Sequence, residues 1–336
     1  MIGMIGCSSF TLTSKDNKHL LSRTMDFGIE MAEQVVFVPR NKTFDLTYTT
    51  SDSTTSKFAF IGMGQILNNS PILFDGINEK GLMGATLYFP GYATYKDTAA
   101  DETLAISPDK VIPYILSQAT TVEDVKTQLL ESITLINDTN PIISKLPPLH
   151  FIFSDKTGAT IIVEPMPNGL NIIEDSIGVM TNSPDYSWHE TNLRNYITVT
   201  PHQHEPITLA NKELSAFSQG SGTFGLPGDY TPPARFVRVA YLRNFSKQPE
   251  NEIEAVSLSH HILESVSIPN GVVIDPQGEP DYTCYSSYMC AESLSFYFAV
   301  YSNQRLQKIT LNDELIASTE YKEFKVQTEE DINSLN

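Results

Sequence analysis

The stretch CSSFTLTSKDNKHLLSRTMDF, residues 7–27, decides the architecture of this chain. "CSSFTLT" and "HLLSRTMDF" read as strands and the "SKDNK" between them is turn-forming, so the chain opens on an antiparallel hairpin. "EQVVFVP", ending at Pro39, adds a further strand after a polar segment. Working outward, strands are expected in "KFAFIGM", "GLMGATLYF", "LHFIFSD", "ATIIVEP", "GVMTN", "SLSFYFAVYS" and "QKITL". Around "DKTG", Phe151 and Phe153 precede the turn, Ile161 and Val163 follow it, and Gly158 tolerates positive φ, which predicts a second hairpin.

Helices are fewer. In "TTVEDVKTQLLESI" the spacing predicts a capping box of Thr120 with Glu123, and Val122, Val125, Leu129 and Ile133 on one face. "PPARFVRVAYLRNF", begun by prolines that suit a first turn, and "EIEAVSLSHHILESV" have similar periodicity. Strands at both ends with helices between argue α+β layers and not a repeating βαβ sheet. Without a repeat or a low-complexity linker, the 336 residues read as one large domain.

Composition removes several function classes. Forty Asp and Glu against 22 Lys and Arg give a net charge of −18, which argues against a grip on nucleic acid. No run of about 18 apolar residues is present, so no membrane partner is expected. The residues before Cys7 lack the cationic start and apolar stretch of a signal peptide, and the expected location is the cytoplasm. Three cysteines, Cys7, Cys284 and Cys290, suit a reducing compartment, with the last two as buried thiols and no disulfide. Gly220, Gly222 and Gly225 in "GSGTFG" match a dinucleotide-binding spacing, but a poor strand precedes them and Pro227, Pro232 and Pro233 follow, so a loop is expected. His202 with His204, and His260 with His261, lack the company of a metal site. No metal or cofactor is expected.

Cys7 invites three readings. Lipidation would need a long apolar segment upstream, and only six residues precede it. A buried structural thiol is the plain alternative. The third is that the preceding residues are removed and Cys7 becomes the first residue. Its α-amine, with a pKa near ~7.7 to 8.0, could then take the proton of its own thiol. Such a site needs a cation near sulfur, a carboxylate to hold the amine, and donors for an oxyanion. "SRTMDF" offers Arg23 and Asp26 on the strand that hairpins against Cys7, although an Arg and an Asp there can also form a surface pair of little worth.

Together with "NEKGLMGATLYF", "GVMTNSPDYSWHETNLRNY", "GLPGDYTPPARFVRVAY" and "DYTCYSSYMC", the opening residues resemble the choloylglycine hydrolases, N-terminal-nucleophile enzymes that include penicillin V acylases and conjugated bile salt hydrolases. The resemblance runs over nearly the whole chain. It implies a four-layer αββα sandwich of two antiparallel sheets, an α+β fold. It implies Cys7 as nucleophile and amine base with Arg23 and Asp26 beside it, Asn182 and the backbone N–H of Tyr88 as oxyanion donors, and Arg235 as the remaining cation of the site. Asn192 and Asn195 are expected to be structural. A short leader, residues 1–6, is expected to be removed, leaving a single catalytic domain over 7–336. The segment from Tyr186 to Ser218 resembles the family's projecting assembly segment, which implies a homotetramer.

The implied reaction is hydrolysis of a small-molecule amide through a thioester. Tyr88 stands where the resemblance implies Tyr in penicillin V acylases and Asn in bile salt hydrolases, so an aryl-acyl amide such as penicillin V is the expected substrate. Met25, Phe27, Phe60 and Tyr88 are the expected acyl pocket. Conjugated bile salts and acyl-homoserine lactones are the alternatives.

Overall fold

The computed structural model describes residues 6–28 and 34–336, so residues 1–5 of the expected leader lie outside the described residues. Fourteen strands form the two large sheets: β1 (Ser8–Thr13), β2 (His19–Phe27), β3 (Gln34–Val38), β4 (Phe60–Leu67), β5 (Ser70–Asn78), β6 (Met83–Tyr88), β7 (Leu149–Ser154), β8 (Thr160–Met166), β9 (Gly169–Ile173), β10 (Val179–Met180), β11 (Tyr282–Cys290), β12 (Ser295–Val300), β13 (Asn303–Thr310) and β14 (Lys322–Phe324). The first sheet runs β10-β1-β2-β11-β12-β13 and the second β9-β8-β7-β6-β5-β4-β3-β14, antiparallel at every pairing.

The opening hairpin forms in the register Ser8↔Thr24 and Ser9↔Arg23, and β11 joins the other edge of β2 with Ser287↔Arg23. Side chains alternate along a strand, so Arg23 and Met25 face the same way as Tyr285 and Ser287. That face meets the second sheet. Helices α4 (Pro232–Phe245) and α5 (Glu252–Glu264) pack on β1, β2 and β11, while α1 (Val111–Gln118) and α2 (Val122–Thr127) pack on β5, β6 and β7. Four layers result, α4 and α5 over one sheet and α1 and α2 under the other, as the resemblance implies. One apolar core lies between the sheets and under α4 and α5, with Phe10, Leu21, Ile61 and Phe296 fully buried. A second, with Phe60, Phe151, Ile112 and Val125, lies between the second sheet and α1 and α2.

Two details differ from expectation. The capping box falls one residue later, because Thr121 is the extended residue before α2: its hydroxyl accepts from the Asp124 N–H, and the Asp124 carboxylate accepts from the Thr121 N–H at 3.0 Å. The expected face is nonetheless buried, with Ile133 placed at the start of a short strand. Between Tyr186 and Ser218 the chain carries α3 (Tyr186–Leu193) and a small exposed hairpin, Ile207–Leu209 with Lys212–Leu214. No helix among the described residues is long and apolar enough to cross a membrane.

Candidate active site

Cys7 immediately precedes β1 and is 3% exposed. Alternation places its sulfur on the face carrying Arg23 and Met25: Arg23 Nη2 donates to Sγ at 2.8 Å, and Met25 Sδ lies 3.7 Å away. Burial pushes the Cys7 thiol up, against the lowering pull of the Arg23 and Arg235 charges and a hydrogen bond from the Asp26 backbone. Burial thus favours the neutral thiol, and the two guanidinium groups favour the thiolate.

Arg23 is fully buried and anchored from both sheets. Its Nη1 donates to Asp75 Oδ2 and to the Tyr285 hydroxyl, each at 3.0 Å, and Nη2 also reaches the Thr86 carbonyl at 3.2 Å. Burial alone would make its charge less favourable, but Cys7, Tyr285 and Asp75 outweigh that and hold the guanidinium firmly charged. Asp75 in turn accepts from Tyr285 at 2.9 Å and Ser287 at 3.2 Å. A cation held this way cannot swing out to water, so it stays beside sulfur.

Asp26, on the opposite face of β2, accepts from Thr283 Oγ1 at 2.6 Å and lies 3.8 Å from Arg235 Nη1. Arg235 comes from the first turn of α4, and its donors converge on the start of the chain: Nη1 reaches the Cys7 carbonyl and the Ser8 hydroxyl at 2.7 Å, and Nη2 reaches Asn182 Oδ1 at 2.7 Å. With its oxygen claimed by Arg235, the Asn182 amide must direct its NH2 the other way, and it donates to the Tyr88 carbonyl at 2.8 Å. Among the described residues, the second amide proton of Asn182 has no partner. Asn182 is itself fixed from behind, because His189 Nε2–H donates to the Asn182 backbone carbonyl at 2.8 Å, an acceptor that requires the proton on Nε2. His189 stacks on Phe236 at 4.6 Å, and burial holds its pKa below the usual histidine value.

Gly6 is the last residue before Cys7. Its φ is +84°, and a Cβ there would collide with the Asn182 side chain, so only glycine fits both the backbone and the space. The Gly6–Cys7 peptide thus lies against the Asn182 side-chain amide.

A narrow cavity of about 60 Å³ opens beside the sulfur. Cys7, Met25, Phe27 and Tyr88 line it, with Ile72, Phe74 and Leu149 extending an apolar wall. Phe27 and Tyr88 meet edge to face at 6.4 Å. Phe60 is not on this wall. It is fully buried in the second core, edge to face with Phe44 at 6.5 Å, on the side of the second sheet that faces α1. A phenylalanine on a strand carries no sign of which face it takes until the register is known.

The structure therefore brings Cys7, Arg23, Asp26, Tyr88, Asn182 and Arg235 into one site, while Asn195, in the turn after α3, donates to Asn192 of that helix at 3.1 Å. Sequence reading missed Asp75, Tyr285, Ser287 and His189. The only signal for Asp75 is a lone acid in the otherwise apolar "SPILFDGIN". Among the described residues, no group of three or more His, Cys, Asp or Glu is arranged to hold a metal ion.

The family model described as linear amide C–N hydrolases, choloylglycine hydrolase family, matches residues 7–324. The chain is 34% identical over 333 residues to the bile salt hydrolase/transferase of Clostridium perfringens, covering 98% of this chain and 100% of that one. It is 33% identical over 308 residues to the conjugated bile acid hydrolase of Lactobacillus gasseri, covering 92% and 96%. The solved structure of a mutant of the conjugated bile acid hydrolase from Clostridium perfringens superposes with a TM-score of 0.90 at 34% identity, covering 98% and 100%. The penicillin V acylase of Pectobacterium atrosepticum is 22% identical, covering 88% of this chain and 78% of that one. These identities overturn the expectation of a penicillin V acylase. That expectation rested on Tyr88 alone, and the side chain at one position weighs less than similarity along the whole chain.

Proposed function

Because the chain belongs to the choloylglycine hydrolase family of linear amide C–N hydrolases, we propose that it is a conjugated bile salt hydrolase, splitting the amide between a steroid acid and glycine or taurine. The observation that carries this reading is the end-to-end similarity to the bile salt hydrolase/transferase of Clostridium perfringens. The apolar lining beside Cys7 agrees with it, since a fused-ring acyl group offers mostly apolar surface to bury.

In this reading residues 1–6 are removed and the free α-amine of Cys7 takes the thiol proton. The thiolate, steadied by Arg23, attacks the acyl carbonyl and forms the C–S bond. The negative oxygen receives the remaining Asn182 amide proton and the Tyr88 N–H, which in an extended strand lies on the same edge as the Tyr88 carbonyl facing Asn182. Collapse breaks the C–N bond, and the Cys7 amine returns its proton to the departing glycine or taurine. Water then attacks the thioester, releasing the steroid acid and regenerating the thiol. Asp26 and Arg235 keep the chain start in register throughout.

The exposed Trp188, Ile197, Ile207, Leu209 and Phe217 support assembly through the projecting segment, and a homotetramer in the cytoplasm completes the reading. Light scattering that finds only monomer at micromolar concentration would remove the tetramer. The enzyme is tested by release of glycine and taurine from conjugated bile salts, with Cys7→Ala as the blank. Turnover that vanishes in the variant is the expected result. No release from any bile conjugate by the mature protein overturns the substrate class.

A further inference from the structure

Asn182 and Tyr88 meet at the site, yet they arrive from different sheets. Tyr88 ends β6, in the middle of the second sheet, whereas Asn182 follows β10, the two-residue strand at the edge of the first, which pairs with β1 up to Ser9↔Met180. Thr181 and Asn182 therefore lie beyond the end of that ladder, and the carbonyl of each is taken by a histidine. His150 Nε2 lies 2.9 Å from the Thr181 carbonyl and His189 Nε2 lies 2.8 Å from the Asn182 carbonyl. A carbonyl only accepts, so each Nε2 carries a proton and donates it.

The two histidines come from separate elements. His150 is the second residue of β7, which pairs with β6 in the register Leu149↔Tyr88 and His150↔Leu87, so its bond to Thr181 ties the Asn182 segment to the strand pair that carries Tyr88. His189 projects from α3, whose first N–H, that of Tyr186, donates to Glu164 Oε1 on β8 at 2.8 Å. Both histidines are buried, at 1% and 2% exposed, and both rings are stacked, His150 on Phe89 at 4.4 Å and His189 on Phe236 at 4.6 Å. Their Nδ1 atoms have no hydrogen-bond partner among the described residues, with His150 Nδ1 standing 3.9 Å from Glu164 Oε1. A phenylalanine would stack as well and leave no buried nitrogen unpaired. What histidine adds at each position is one N–H aimed at one carbonyl.

We propose that His150 and His189 are positioning residues: two imidazoles that clamp consecutive carbonyls and so set the spacing between the Asn182 amide and the Tyr88 N–H, the two oxyanion donors of the proposed reaction. This rests on the amide-hydrolase reading of the site and not on which acyl group fills the cavity. Arg235 and the Tyr88 carbonyl hold the Asn182 side chain, and the histidines hold its backbone. Neither histidine lines the cavity beside Cys7. Donors lower a barrier only when they already stand where the oxyanion forms, so loosening this backbone should slow the chemistry and leave ground-state binding in place.

The test is kcat and KM for glycine release from a conjugated bile salt by the mature protein, with active sites counted by Cys7 alkylation. His150→Phe and His189→Phe keep a stacked ring and lose the N–H. Each should lower kcat roughly 10-fold with KM within about 2-fold, a fraction of the roughly 100- to 1,000-fold lost when an oxyanion donor is removed outright. His150→Gln and His189→Gln, whose amide brings an N–H back towards the same carbonyl, should recover most of the rate. The deciding comparison is made in Asn182→Ala: with the amide gone nothing is left to position, so adding either phenylalanine should cost no further rate. A merely structural role would lower the rate by the same factor in both backgrounds, and that result overturns the proposal. So does an unchanged kcat in a folded phenylalanine variant, or a glutamine variant no faster than its phenylalanine counterpart. If neither the phenylalanine nor the glutamine variants fold, the rings serve stability alone and the proposal falls. A wild type that releases glycine from another acyl-glycine but from no bile conjugate removes the bile salt reading alone, and the same comparisons then decide the proposal on that substrate.

Discussion

Replacing Asp75 by Asn isolates the part of the site that sequence reading did not anticipate. Arg23 and Asp75 are both fully buried and in contact at 3.0 Å, and the carboxylate also takes hydrogen bonds from Tyr285 and Ser287. Asn keeps the shape and removes the charge, leaving the guanidinium with no carboxylate at its Nη1 end. Breaking a fully buried pair from one side costs about 3–5 kcal/mol, against a total stability of about 5–15 kcal/mol for a typical domain. Far-ultraviolet circular dichroism in a urea series should show the loss, and Arg23→Gln combined with Asp75→Asn should lose less than the sum of the two single changes. Cys7 reports the other half of the effect. With the Asp75 charge gone, Arg23 keeps the Tyr285 hydroxyl and the Thr86 carbonyl but loses its carboxylate, so the thiol should ionise more easily and the pH midpoint of Cys7 alkylation should fall. A variant within about 1 kcal/mol of wild type, or a midpoint that rises, would refute the idea that Asp75 and Cys7 share one buried cation.

Three further outcomes follow from the geometry. Gly6→Ala places a Cβ against Asn182 at a positive φ, so leader removal should stall, and intact mass should retain residues 1–6 in the variant. Phe60→Ala should cost about 3–5 kcal/mol of stability and leave KM for bile conjugates unchanged, whereas Phe27→Ala should raise KM, because only Phe27 is on the cavity. His189 has a folded pKa held below its ordinary 6.5, mainly by burial, so below that pH the unfolded chain binds more protons than the native one. The stability it contributes is complete above about 6.5 and is lost as pH falls through the lower folded value. Melting temperatures of wild type and His189→Gln should therefore converge as pH is lowered from 7.5 towards 5, and a constant gap would sink that account.

The parts of the site that could be read from sequence are those that one hairpin assembles. Cys7, Arg23 and Met25 fall on one face, and Asp26 on the other, once "SKDNK" is accepted as a turn, because period-two alternation does the rest. Strand β5 was not among the expected strands. Its second residue is Pro71, and Asp75 and Gly76 interrupt the apolar run in the middle, so the local pattern argues against a buried strand. What overrides that pattern is tertiary. Gly76 packs closely against the Ile61 carbonyl and the Leu116 side chain, and Asp75 is accepted in the core only because Arg23, Tyr285 and Ser287 arrive from the other sheet. Strand β11 raises the same difficulty with its polar Thr283, Ser286 and Ser287. Thr283 is buried with its hydrogen bond to Asp26 and Ser287 with its hydrogen bond to Asp75, partners that no single-strand pattern contains.

Substrate choice was the least readable feature, for the same physical reason. Tyr88 is on one strand, but the cavity it borders is closed by β2, β5, β7 and the loop that holds Ile142 and Asn140. Its ring edge meets Phe27, so its own contribution is to shape the entrance beside sulfur. Asp109 and Asn140, separated from Tyr88 in sequence by 21 and 52 residues, border the same cavity only through the packing of the second sheet on the loops that cover it. An acyl group is selected over its full length, because each part of it must be desolvated by a different wall. A residue at the reacting end can therefore be shared by enzymes with different substrates, because the walls that desolvate the rest of the acyl group come from other strands and loops.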